Sequence, residues 1–274
     1  MNLKASFFYA RKIFFSKSKL NKNVMGRRSL LGAVICIAIS LIPLTALLVV
    51  SEGMIEGMTE RIIRLSTHDI QIETNFSSSC VYSYDEFTAA SRKFLSINGV
   101  NNVYPEIQSM GLASANAVRT GAFVRAVDEN IFSDPYFSSL FEVCEGECSF
   151  DEKRSIIISS KMAEILGVKP GDRISLINVK VSEDSRVFPR AFPFKVRAVI
   201  SSGYQELDEL WAFISLKEGF EILTGSACSF LIGLSTDNTF SPLLNKTSED
   251  VFSFIFSSED FNQFGTSVST WKKL

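Results

Sequence analysis

"LLGAVICIAISLIPLTALLVV", residues 30 to 50, is a run of 21 residues without a charge. Coiled as a helix at 1.5 Å per residue it is about 31 Å long, the thickness of a bilayer's hydrocarbon core. A cleaved signal peptide carries a shorter apolar run, about 7–15 residues, before a small-residue cleavage site. Here the run is longer, and Glu52, Glu56 and Glu60 follow directly, so the stretch reads as an uncleaved anchor. Pro43 lies inside it, which membrane helices tolerate where neighbours re-satisfy the freed carbonyl.

Charge on either side orients the anchor. Residues 1–29 contain Lys4, Arg11, Lys12, Lys17, Lys19, Lys22, Arg27 and Arg28, and no acidic residue. The positive-inside rule keeps that segment in the cytoplasm and places the chain from about residue 51 outside. Removing these eight from the 28 basic residues leaves 20 basic against 30 acidic ones. An acidic remainder argues against nucleic acid as a partner, since binding it takes a basic face on the folded domain.

Five segments follow. Residues 1–24 form a basic amphipathic segment, with Leu3, Phe7, Ala10 and Phe14 at helical spacing, suited to membrane lipid at the cytoplasmic leaflet. Residues 25–65 are the transmembrane helix and a stalk. In the stalk, Met54, Met58, Ile62 and Leu65 make a stripe, Glu60 and Arg64 an i,i+4 pair, and Gly53 and Gly57 a small-residue spacing. Then "HDIQIE" (68–73) alternates like a strand. Ser83 and Glu86 form a capping-box pattern opening a helix through about Ser96, and Gly99 ends it before the strand "NNVYPEIQSMGLAS". The order returns near the C-terminus: "CSFLIGLS" (228–235) as strand, a helix around Ser248–Phe256, and "SVSTW" (267–271) as strand. Two β-α-β units thus bracket the middle of the chain. The fold class expected is α+β: one N-terminal transmembrane helix and a two-lobed extracytoplasmic domain, residues 66–142 and 227–274 forming one lobe and the mostly-β insert 143–226 the other.

Within the insert, "RSIIIS" and a short helix Ser159–Leu166 lead to Gly167 as C-cap and a Pro170-Gly171 turn. "RISLINVKV" and "FKVRAVIS" are strands. Between them stands "SRVFPRAFPFKV" (185–196), with three phenylalanines, two prolines and three basic residues. Proline lacks the donor a strand ladder needs. The stretch is therefore expected as an exposed hairpin tip near 182–194, a loop of about ten residues between strands near 173–181 and 194–200.

No constellation for catalysis emerges. There is no G-x-x-x-x-G-K-[ST] phosphate loop and no G-x-S-x-G elbow, and the one histidine, His68, reads as structural or surface. "CEGEC" (144–148) is a weak metal signal, and a loop disulfide or two free thiols is the preferred reading. Cys36 lies within the span, while Cys80, Cys144, Cys148 and Cys228 lie beyond it, where disulfides form; four cysteines allow three complete pairings. Asp208 and Glu209 read as a solvated acidic loop. No metal and no cofactor is expected.

"YARKIFFSKSKL", the anchor running into "VVSEGMIEGMTERI", then "DIQIE", "ILGVKPGDRISLI", "FKVRAVI" and the terminal "STWKKL" resemble the N-terminal part of a lipoprotein-releasing ABC transporter permease of the LolC/LolE type. The broader group includes MacB-type exporters and FtsX-like proteins. The resemblance implies two lobes, called porter and sabre, and a permease subunit of the inner (cytoplasmic) membrane. It implies a homo- or heterodimer with a second permease subunit, and a separate ATPase subunit that supplies ATP hydrolysis, so the chain itself is not an enzyme. It implies lipoprotein cargo and a periplasmic lipoprotein carrier docked by a projecting hook. Here Arg186, Phe188, Pro189, Arg190, Phe192 and Pro193 stand at the hook's place. The family continues with three more transmembrane helices, so a chain stopping at Leu274 is expected to be a fragment, half of a split permease, or a degenerate copy. The competing reading is a single-span anchored receptor or accessory domain without transport activity.

Overall fold

The computed structural model describes residues 23–75, 83–181, 187–224, 228–236, 243–257 and 265–270. The chain divides into two compact units, Met1–Thr59 and Glu60–Leu274. The first is described from residue 23 and is wholly helical. It belongs to α1 (Asn23–Ser66), which carries Pro43 and is apolar enough to cross a bilayer from Gly32 onward. The expected amphipathic segment 1–24 lies almost entirely outside the described residues.

Among the described residues, the second unit is built on one mixed sheet of ten strands. Its strands are β1 (Ile70–Asn75), β2 (Asn102–Ala115), β3 (Val118–Val127), β4 (Glu142–Gly146), β5 (Ser155–Ser159), β6 (Arg173–Val181), β7 (Val187–Ser201), β8 (Trp211–Ser215), β9 (Cys228–Ser235) and β10 (Gly265–Thr270). They lie in the order β10-β1-β9-β2-β3-β8-β5-β7-β4, with β6 bridging the far end of β2 to β7. Helices α2 (Tyr84–Arg92), α3 (Pro135–Ser138), α4 (Ser160–Leu166), α5 (Gln205–Asp208), α6 (Leu216–Leu223) and α7 (Leu244–Ser257) complete the unit, along with 3-10 turns at Lys93–Ser96 and Ile131–Ser133.

Period-two alternation divides the core between the sheet's two faces. On β8, Ala212 and Ile214 join an apolar cluster shared with α2, α4, α6 and α7, while Trp211 and Phe213 join another. That second cluster holds Leu65 from the end of α1 and Ile131 and Phe137 from the short helical turns. The fold is thus α+β, as its sequence pattern predicts. The capping box opens α2 with both reciprocal bonds in place: the Glu86 N–H donates to Ser83 Oγ and the Ser83 N–H to the Glu86 carboxylate. Gly167 ends α4 in the left-handed region at φ +64°.

Four sequence expectations change. Both prolines of the 185–196 stretch sit inside β7, with Pro189 opposite Val179 and Pro193 opposite Ser175. The arms of the hairpin therefore meet at Val181 and Val187, and the loop is shorter than the ten residues expected. Residues 187–194 of β7 pair with β6 alone among the described strands. Prolines four apart share one side of the strand, so a free edge accepts their missing donors. Asp208 is buried rather than solvated: its carboxylate accepts from Ser201 Oγ (2.7 Å), Ser202 Oγ (2.7 Å) and the Ser202 N–H (2.8 Å). In the stalk stripe only Leu65 is buried, together with Ile63, whereas Met54, Met58 and Ile62 are exposed. In "CEGEC" residues 144–146 belong to edge strand β4, with Cys144 at a bulge between Val143 and Glu145, while Glu147 and Cys148 follow it; Cys144 and Cys148 are free thiols, one of the two readings expected.

Candidate functional site

Two places in the second unit concentrate features beyond packing. The first is the ribbon of β6 and β7. Of the six residues expected at a hook, Pro189, Arg190 and Pro193 are exposed. Phe192, on the face opposite the two prolines, is half-buried against the larger core cluster, and Phe194 is fully within that cluster. The Arg154 guanidinium lies over both rings, 5.5 Å from Phe192 and 5.7 Å from Phe194. Arg186 and the side chain of Phe188 lie outside the described residues. Pro189 and Pro193 thus share one face of the ribbon, and on the other Arg190, Phe192 and Phe194 pass in order from exposed to fully buried. Phe192, Phe194 and Val196 fall on alternate positions, and the cluster beneath that face claims all three.

The second place is the junction where α1 meets the sheet. Arg125 on β3 is 1% exposed and Glu106 on β2 is 2% exposed. The two are bridged twice, Nε to Oε1 and Nη2 to Oε2, each at 2.7 Å. Burial alone raises a carboxyl's pKa, but the paired guanidinium outweighs it and holds Glu106 below its ordinary value. Arg125 Nη1 also donates to the Leu65 carbonyl (2.7 Å), one of the unpaired carbonyls at the end of α1, and the guanidinium stacks over Trp211 and Phe213. Arg61 reinforces the joint with bonds to the carbonyls of Leu140 (3.0 Å) and Ser202 (3.1 Å), and Arg64 pairs with Glu60.

A column of flat groups stands beside the pair. The Arg64 guanidinium covers the Tyr136 ring at 4.5 Å, Tyr136 stacks on Tyr104 at 6.2 Å, and Tyr104 on His68 at 4.8 Å. His68 has a left-handed backbone (φ +55°) and both its ring nitrogens are buried without a hydrogen-bond partner. Burial first, then the positive charge of Arg125, push its pKa down to about 4 against a pull upward from Glu106. Gly233 on β9 makes room for the ring: a Cβ there would lie 2.1 Å from His68 Cδ2. Among the described residues no group of His, Cys, Asp or Glu side chains is placed to hold a metal ion. A cleft of about 600 Å³ near Glu129, Asp151, Glu218 and Lys217 is lined by charges of both signs. Sequence reasoning named His68 but missed Glu106, Arg125 and Tyr104. The signal was available in the strand-like run containing Glu106, where a charge on a strand with both faces covered must be paired.

An apolar helix long enough to cross a membrane, followed by a β-rich unit, is the pattern of an extracytoplasmic domain carried on a membrane anchor. The family is specific. A model of the MacB-like periplasmic core domain matches residues 30–234, and the chain belongs to that family. It is thus a membrane-anchored, MacB-like periplasmic domain of an ABC-type transporter permease, and permeases of this family work as dimers with an ATPase. Among solved structures, the chain is similar to the extracellular domain of the noncanonic ABC-type transporter YknZ from Gram-positive bacteria, at 16% identity and a TM-score of 0.46, covering 73% of this chain and 100% of that one. It is similar to the periplasmic region of MacB from Actinobacillus actinomycetemcomitans, at 13% identity and a TM-score of 0.44, covering 76% and 91%. A permease-protein domain from Porphyromonas gingivalis aligns at 13% identity and a TM-score of 0.43, covering 75% and 92%. No curated protein is significantly similar to the chain.

Proposed function

We propose that this chain is the anchored N-terminal part of an inner-membrane permease subunit of the LolC/LolE type, releasing lipoproteins to a periplasmic carrier that docks on the β6–β7 ribbon. The observation that carries the reading is the ribbon's makeup: an exposed Arg190 between two exposed prolines, on a strand segment with one free edge. The prolines restrict the backbone before a partner arrives, which lowers the ordering cost of docking. Arg186 and Arg190 are the residues that would steer an acidic partner, acting through association rate. Phe188, Pro189 and Pro193 would supply contact area, and Phe192 would support the ribbon from beneath. A division into a porter-like lobe (66–142 and 227–274) and a sabre-like lobe (143–226) belongs to the same reading. In its favour, among the described strands β9 and β10 pair with β1 and β2 alone; the pairs β2–β6 and β3–β8 join the two parts in one sheet.

The test is carrier binding by the full chain in detergent, with Arg186→Glu and Arg190→Glu combined. The double variant is expected to slow association at least tenfold, and less at high salt, with an unchanged melting temperature. Carrier binding indifferent to both charges, or no carrier binding by the wild-type chain, would sink the hook and favour a single-span receptor.

A further inference from the structure

The face of the sheet that carries Arg125 and Phe213 is covered near the joint and bare farther along. Phe123 on β3 is its last half-buried member. Beyond it, paired in register across β2, β6 and β7, come Leu112, Ile177 and Ala191, with Met110 beside Phe123, and the next row, Ser114, Ser175 and Pro193, begins the polar rim. Met110 is 63% exposed and Leu112 44%, and Ala191 and Pro193 are exposed as well. Strands about 4.8 Å apart make this an apolar shelf roughly 14 Å across. None of the residues in these rows is acidic. At its rim stand two exposed arginines, Arg119 opposite Ser114 and Arg173 on β6, neither with an ion-pair partner among the described residues. Lys195, opposite Arg173, is already matched by Glu152 at 3.0 Å.

We propose that this shelf binds the acyl chain of a single-chain anionic lipid drawn from the membrane, with Arg119 and Arg173 receiving the anionic head. Three observations choose this occupant. The rim charge is of one sign and unanswered, so a second copy on the same face meets the same cations. The shelf exposes no tyrosine or tryptophan, the residues that anchor protein–protein hot spots, and Met110 offers an adaptable thioether for an irregular chain. The same polypeptide carries a membrane anchor, and one acyl chain holds a lipid to a bilayer only marginally, so such lipids exchange as monomers. This binding shares Pro193 with the hook reading but uses neither Arg186 nor Arg190, so the charge variants let either fail alone.

The full chain in phosphatidylcholine vesicles, doped with a palmitoyl lysophosphatidylglycerol bearing a photoactivatable diazirine in its chain, provides the test. After illumination, labelled peptides are mapped by mass spectrometry. Label is expected on residues 105–115 and 187–201 as well as on the span. Leu112→Glu should cut the sheet label at least fivefold and leave the span label unchanged, which serves as the control for insertion. Met110→Glu, at a still more exposed position, should do the same if Leu112→Glu fails to fold. Combining Arg119→Gln with Arg173→Gln should abolish any preference over the matching lysophosphatidylcholine probe. Label confined to the span overturns the proposal. So does wild-type labelling by the zwitterionic probe as strong as by the anionic one, or a lipid-independent cross-link between two copies through Met110.

Discussion

His68 shows how much one side chain can be asked to do. It closes the turn between α1 and β1 in a left-handed conformation that a non-glycine residue adopts at a cost, and it spends its ring on stacking with Tyr104. Its ring nitrogens find no partner, and Arg125 stands nearby, so the folded state holds the ring neutral. With the pKa lowered from 6.5 to about 4, the unfolded chain binds the proton first as pH falls. Stability is then complete above pH 6.5, declines as pH drops toward 4, and loses on the order of 3 kcal/mol across that window. Urea unfolding midpoints measured between pH 4 and 7 should rise with pH in the wild type. His68→Phe keeps an aromatic ring for the stack and should flatten the slope over that interval, leaving only the steeper acid limb of the carboxylates. An unchanged slope in that variant would assign the titration elsewhere. From sequence, a lone histidine at the head of a strand says little, because its burial depends on Gly233 from β9, 165 residues away.

At the scale of elements, local chemistry was legible where it was decided locally. The α2 capping box, the left-handed Gly167 after α4, and β9 over Cys228–Ser235 all follow from a few adjacent residues. The prolines of β7 misled because proline's effect depends on which edge it faces, and that is set by pairing with β6. Asp208 misled because its partners Ser201 and Ser202 belong to the end of a strand that a turn brings back to it. The phenylalanines of the same ribbon share a face and differ in depth. Phe194 is fully buried, and replacing it with alanine is expected to cost about 3–5 kcal/mol. Phe192 is half-buried beneath Arg154, so its replacement should cost less, roughly 1–2 kcal/mol. Thermal melts of Phe192→Ala and Phe194→Ala should preserve that order. Equal melting temperatures for Phe192→Ala and wild type would free Phe192 from the core and return it to the docking surface.

For the whole molecule, the first issue is which side of the membrane each unit faces, and the cysteines give a direct measure. Cys36 lies within the apolar span, whereas Cys144 is a free, exposed thiol on edge strand β4, in the unit from Glu60 onward. Burial, and after it the charge of Glu142, raise the Cys144 pKa, so its thiolate is scarce at neutral pH and labelling belongs at about pH 8.5. By the positive-inside rule, the eight basic residues before the span are expected to keep the N-terminus in the cytoplasm. A membrane-impermeant maleimide added to intact spheroplasts should therefore label Cys144, and Cys144→Ser should remove that label at the mapped peptide. A cysteine introduced at Ser18, inside the basic segment, should label only after the cells are permeabilised. The reverse pattern, Ser18→Cys reactive and Cys144 protected in intact cells, would invert the topology. It would leave the ribbon and the periplasmic carrier in different compartments, and the hook could then not work as proposed.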